Sequence, residues 1–241
     1  MSTEPTLSVQ GIQIDVVRKD VKRLRIAVYP PSGAVRLTVP AHVSDDAARL
    51  AVVSKLPWIR RQRGRYAGQE RQTRRELVSG EAQYVWGRRL RLRVVPTASL
   101  TKVIGPKGGW LELHVRLGSS AGDRARVIDR WHRRQLRERA QPLIDQWQLR
   151  TGSRLNDWRI KRMKTRWGTC VPASKRIWLN VELAKKSPRC LEFIIVHELA
   201  HLQERDHGAR FQALMHEWMP DWRQRRDELN RAPLANEHWD Y

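Results

Sequence analysis

The sequence feature that most limits what this chain can fold into is a polar trio set at the end of an apolar run. His197-Glu198-Leu199-Ala200-His201 directly follows Leu191-Glu-Phe-Ile-Ile-Val196. A run of that length and composition predicts a largely buried helix, and unpaired imidazole and carboxylate groups on such a helix are costly. On a helix, residues four apart lie on nearly the same face, so His197 and His201 aim at one point while Glu198 sits one step around. That arrangement suits a metal ion held by two imidazoles, with a carboxylate free to take a proton from a water bound to it. A bare HExxH also arises by chance on surface helices; here the apolar setting favours the metal, which satisfies groups that would otherwise be stranded.

A catalytic zinc takes three protein ligands and leaves one position for water, whose pKa it lowers to about 7. His207 is the expected third ligand. It follows His201 at the separation seen in the longer pattern HExxHxxGxxH, and Asp206-His207-Gly208 reads as a turn after the helix. Glu204 stands where that pattern has glycine, so the chain must turn differently here. His216 and Glu217 are the alternative ligands, from a later helix.

The 241 residues carry 47 Lys+Arg against 25 Asp+Glu, a net charge of +22. Such a surplus raises the local concentration of anions, including nucleic acid and nucleotides, although a solvated arginine-rich surface carries the same signature. Two cysteines, Cys170 and Cys190, lack CxxC spacing and fit a reducing compartment with structural roles. The start Met1-Ser-Thr-Glu-Pro-Thr6 lacks the basic and apolar regions of a secretion signal, and no apolar run approaches the ~20 residues that span a bilayer. A cytoplasmic protein without membrane contact is expected.

Alternating runs at Ile12–Val16, Leu24–Val28 and Val35–Val39 predict strands, the last two joined as a hairpin through Pro30-Pro31-Ser32-Gly33. Ser44-Asp45-Asp46 predicts a helix start, with acids near the positive end of the helix dipole. Further strands are expected at 82–86, 90–95 and 110–115. Near Gly118–Gly122 the period changes to helical, with Val127, Ile128, Trp131, Leu136, Leu143, Ile144 and Trp147 on one face. Beyond lie short strands at 158–163 and 176–179, the helix with the metal motif over 187–204, and helices after Gly208 and Pro220. This order predicts an α+β fold: a β-rich N-terminal domain with one helix, 1–120, and a catalytic domain, 121–241. No internal repeat is visible.

Arg166-Trp-Gly-Thr-Cys170, Ile177-Trp-Leu-Asn180, Val196-His-Glu-Leu-Ala-His-Leu202, Asp206-His-Gly208 and Phe211 together resemble the YgjP-type metallopeptidase-like family, relatives of the SprT-like zincins. The resemblance extends upstream through Leu24–Val28, Pro40, Trp58-Ile59 and Trp131. It implies a β-rich N-terminal portion followed by a minimal zincin-like domain, a zinc ion on His197, His201 and His207, and Glu198 as catalytic glutamate. The family commonly has Asn for Asp206 and Ser for Thr169 and Gly208. The Arg166–Cys170 segment is placed beside the site by this likeness. Trp167 then reads as packing, Gly168 as a turn and Cys170 as a small buried residue, with Lys164 and Arg166 as candidates to stabilise negative charge on a substrate.

Three activities compete. A zinc metallopeptidase cleaving a protein or peptide, with Glu198 as general base, is favoured by the motif. A metal-dependent hydrolase of nucleotide phosphoanhydrides uses the same activated water and suits the basic surface. The third is a nucleic-acid-associated protein carrying a zincin domain, suggested by seven arginines against two acids in Arg124–Arg139 and by Trp58 beside Arg60, Arg61, Arg63 and Arg65.

Overall fold

The computed structural model describes residues 6–29, 32–67, 76–163 and 166–231, the side chains of 65–67 excepted. It is an α+β protein that divides into two compact units, residues 1–72 and 73–232.

In the first unit β1 (Thr6–Val9) and β2 (Ile12–Lys19) form a hairpin. β2 runs parallel to β4 (Ala34–Pro40), and β3 (Arg25–Tyr29) pairs antiparallel with β4, giving the order β1-β2-β4-β3. The alternation buries Ile14, Val16, Val35, Leu37 and Val39. On that face α1 (Asp45–Ala67) lays Ala48, Val52, Leu56 and Ile59, the spacing of one helical stripe. Ser44 starts the helix as its sequence suggests, its hydroxyl accepting from the Ala47 amide at 3.3 Å.

The second unit begins with the same design. β5 (Ala82–Val85), β6 (Arg88–Pro96), β7 (Lys102–Lys107) and β8 (Trp110–Val115) take the order β5-β6-β8-β7 with the same strand directions, leading into α2 (Ala121–Thr151). The correspondence holds at one constant sequence spacing. Gln10-Gly11 and Trp86-Gly87 both turn their hairpins with positive φ at each residue. Gly33 and Gly109 both precede the central strand with positive φ, and Ser44 and Ser120 both cap the helix. The hairpin pairings match, Val9 with Ile12 and Val85 with Arg88. The parallel pairs differ by two residues, Asp15 with Arg36 but Arg91 with Trp110, a shift that keeps each face on its own side. The expectation of no repeat is therefore corrected: a fold repeat is present, and it escapes the sequence because only turn, cap and alternation are shared.

The expected boundary near residue 120 also shifts, to near residue 72. The turn at Gly118–Gly122 lies inside the second unit because Ile128 and Trp131, from the first half of α2, complete the core of the sheet before it. The later half of α2 supplies Leu136, Ala140, Ile144 and Trp147 to a different core. That core contains a third sheet, order β10-β11-β9, of β9 (Asp157–Lys161), β10 (Gly168–Val171) and β11 (Arg176–Asn180). It also contains α3 (Pro188–Ala200), α4 (Ala209–Trp218) and α5 (Trp222–Arg231). β7 and β10 depart from the expected strands: Gly105-Pro106 interrupts the one and Gly-Thr-Cys-Val lacks alternation in the other. No described helix is long and apolar enough to cross a membrane.

Candidate metal centre

α3 starts at Ser187 with Pro188 in its first turn, where a missing amide hydrogen costs nothing. Its apolar run buries Leu191, Phe193, Ile194, Ile195 and Val196, which fixes the roll of the helix and so the direction of His197, Glu198 and His201. The helix ends at Ala200, earlier than expected, yet His201 retains helical dihedrals as its cap, so the alignment with His197 survives. The chain then turns and returns His207 to the same point.

His197, His201 and His207 each offer a ring nitrogen, and these lie within 4.8 Å of one another. Nε2 of His207 is 3.1 Å from Nε2 of His197. Tetrahedral zinc with Zn–N of about 2.0–2.1 Å would set neighbouring ligand nitrogens about 3.3 Å apart, and the spacing of this pair fits that. His201 Nδ1 lies 3.0 Å from the Glu204 carbonyl. Since a carbonyl only accepts, that partner assigns the proton to Nδ1 and leaves Nε2 its lone pair. Glu204, at the position of the metzincin glycine, thus orients the His201 ring through its backbone, while its side chain pairs with Arg210 at 2.9 Å. Phe211 backs the group, its ring 4.7–5.0 Å from those of all three histidines. Burial, with His201 and His207 beside it, pushes the His197 pKa down to about 3. His207 is also lowered by burial and by His201, with Asp206 opposing. Neutral imidazoles are what a metal requires.

Glu198 is buried, and its Oε2 has no hydrogen-bond partner among the described residues. Burial pushes its pKa up to about 8 against the opposing charge of Arg166. An orphaned buried carboxyl oxygen beside three converging imidazoles fits a metal and its water. Gly168 makes room for this carboxyl: a Cβ there would stand 2.5 Å from Glu198 Oε1. The glycine expected to make a turn instead opens β10, and its role could be found only from this approach. Cys170, two residues on, is held as a thiol, its pKa pushed up to about 11 by burial and by Glu198. Cys170 and Cys190 are both free.

Asn180 secures the segment before β10. Its side-chain amide donates to the Met163 and Arg166 carbonyls at 2.7 and 2.8 Å, and its backbone amide donates to the Trp167 carbonyl at 2.9 Å. In the sequence Asn180 stands out only as part of a motif; its clamping role needed the tertiary contacts. Arg166 is exposed and close enough to act on the Glu198 charge. Lys164 lies outside the described residues. His216 instead meets Arg223 and the Trp222 ring, and neither it nor Glu217 joins the histidine cluster.

A partly buried ion network, centred on the buried Glu182, links α2 to the segment after β11. Arg162 bridges Asp129 and Glu182, at 2.7 Å to each, Arg133 pairs with Asp129 at 2.6 Å, and Lys185 Nζ donates to Glu182 at 2.9 Å. It ties α2 to the segment that leads into α3.

This fold and site belong to a metallopeptidase class, and the family model for the YgjP-like metallopeptidase domain matches residues 22–232. The chain is a member of the YgjP-like family. It is also similar to the solved metallopeptidase zymogen abylysin of Pyrococcus abyssi, with 19% identity over 37% of this chain and 90% of that one, TM-score 0.35. The jannalysin zymogen of Methanocaldococcus jannaschii matches at 16% identity over 37% of this chain and 92% of that one, TM-score 0.33. No curated protein matches the chain.

Proposed function

We propose that the protein is a zinc metallopeptidase in which His197, His201 and His207 hold the ion and Glu198 is the general base. The observation that carries this reading is the convergence of three imidazole nitrogens beside a buried carboxylate with an orphaned oxygen. The all-nitrogen donor set of three histidines fits zinc better than calcium or magnesium, which take oxygen ligands. Zinc in this place supplies a Lewis acid that acidifies water and polarises the scissile carbonyl.

Glu198 accepts a proton from the water that attacks the carbonyl carbon. As the C–N bond breaks, Glu198 returns that proton to the leaving nitrogen and is again a carboxylate. A carboxyl with pKa raised towards neutrality suits this shuttle in both directions. Gly168 lets Glu198 reach its position, Asn180 holds the neighbouring chain, and Arg166 places positive charge at the rim where an oxyanion would form. β10 is an edge strand of its sheet, a position that suits pairing with an extended polypeptide, which favours a peptide substrate over a nucleotide.

The test uses zinc-loaded protein with an unfolded protein and, separately, nucleoside triphosphates. Proteolysis that falls about 10²–10⁴-fold in Glu198→Gln is expected, with loss of zinc from His207→Ala. Triphosphate cleavage that disappears in Glu198→Gln, with no proteolysis by the parent protein, would overturn the peptidase reading.

A further inference from the structure

We propose that the cleft between β7 and α2 binds the phosphate backbone of a single-stranded nucleic acid. The cleft has a volume of about 180 Å³ and lies within the second unit. Its floor is Val103 and Trp131, both buried, and its walls carry Thr101, Lys102, Arg130 and Arg134. Among the described residues that line it none is acidic.

Several other arginines of this unit are answered by carboxylates: Arg133 by Asp129, Arg162 by Asp129 and Glu182, Arg225 by Asp221. For the cations that line the cleft, the only such neighbour among the described residues is Glu138, 3.8 Å from Arg134, with both side chains more than half exposed. An exposed pair at that distance leaves the guanidinium free for another anion.

Arg130 and Arg134 stand four residues apart on α2, so their guanidinium groups are set about 6 Å apart along the helix, with Lys102 facing them from β7. That matches the step between phosphates on one nucleic-acid strand. Like charges at this spacing work against the helix, and the shared architecture does not require them: in the first repeat the positions of Arg130 and Arg134 are Ser54 and Trp58. A concave site with three cations over an apolar floor fits one polyanionic chain better than the plane of a lipid headgroup layer. Trp131 is buried and cannot stack on a base, so the contact reads phosphates and not sequence.

The test measures fluorescence anisotropy of a labelled oligodeoxythymidine across a salt titration, using the full chain with Glu198→Gln so that binding is read apart from hydrolysis and fails independently of the peptidase reading. The parent protein is expected to bind, with affinity falling as salt rises. Lys102→Glu/Arg130→Glu/Arg134→Glu should bind at least about tenfold more weakly and lower the salt slope by about 2, three phosphates at about 0.7 each. The glutamine triple variant at the same positions should show a smaller loss in the same direction, which guards against a helix disturbed by the glutamates. Arg49→Glu/Lys55→Glu/Arg61→Glu, the same change of charge on α1, should lose less than about threefold. Absent or salt-insensitive binding overturns the proposal, as does an α1 variant that loses as much as the cleft variant. Loss of binding to phosphatidylserine vesicles in the cleft variant with oligonucleotide binding intact also overturns it, in favour of a membrane surface.

Discussion

The two repeats, β1 to α1 and β5 to α2, share strand order, hairpin turn and helix cap, yet only the second is joined to a metal centre. The difference lies in the length and attachments of the chain beyond the shared part. α1 has 23 residues and α2 has 31. The first half of α2 covers its own sheet, as α1 does, while the rest supplies Leu136, Ala140, Ile144 and Trp147 to the core that also holds α3. The hairpin turns diverge in the same way. Trp86 and Gly87 donate their backbone amides to the Ala184 and Lys185 carbonyls at 2.9 and 3.2 Å, so the second turn docks on the segment that leads into α3. Among the described residues nothing stands within 4 Å of where a Cβ on Gly11 would be. One architecture thus serves as a closed unit in one place and as the base of the candidate metal centre in the other.

The largest effects should come from the two cores. Leu136→Ala and Leu37→Ala, both at fully buried positions, should each cost about 2–5 kcal/mol in denaturant unfolding. Only Leu136→Ala should also weaken zinc binding, measured by competition with a chelator. Equal loss of zinc affinity in the Leu37 variant would break the division of labour between the repeats.

Acid should separate the units next. Burial would raise the Glu182 pKa, but Lys185 and Arg162 hold it at about 2 against an ordinary 4.5. A folded value below the ordinary one means stability that is fully present above about pH 4.5 and is lost as pH falls towards about 2. Glu182→Gln should therefore lower the Tm clearly at pH 6, by the equivalent of about 3 kcal/mol, and the gap to the parent protein should narrow on acidification. Asp45→Asn, which removes the exposed pair with Arg18, should leave the Tm nearly unchanged throughout. A Glu182 gap that does not vary with pH would remove this network as a source of stability.

The smallest effects concern the turns. Gly11→Ala should cost about 1–2 kcal/mol, because its φ of 77° is unfavourable for a side chain. Gly87→Ala should cost more, since its φ is similar and a Cβ would also stand 3.3 Å from Ser187. Equal unfolding midpoints for the two variants would show that the second turn has no closer attachment than the first.

Much of this was legible along the chain. Period-two runs announced β2 to β6 and β8, and a helical stripe announced α2, because each element must bury one face. The candidate metal site was legible at His197, Glu198 and His201, since an i, i+4 pair on an apolar helix leaves few other uses for its polar atoms. Spacing and the family resemblance together supplied the expectation for His207. β10 could not be read, because a short edge strand of Gly-Thr-Cys-Val carries no alternation. The role of Gly168 depends on a carboxyl thirty residues further on, and the repeat was hidden because a fold can be kept by turn, cap and alternation while most other residues change.

By itself, then, the sequence determined local matters: which segments are helix or strand, and that two histidines and a glutamate project from one helix. Tertiary structure alone decided where the chain after Ala200 turns, that His207 returns to meet His197, and that Glu198 is buried against Gly168. The reason is physical: periodicity is set by neighbours in sequence, whereas burial, convergence and pKa are set by groups that only folding brings together.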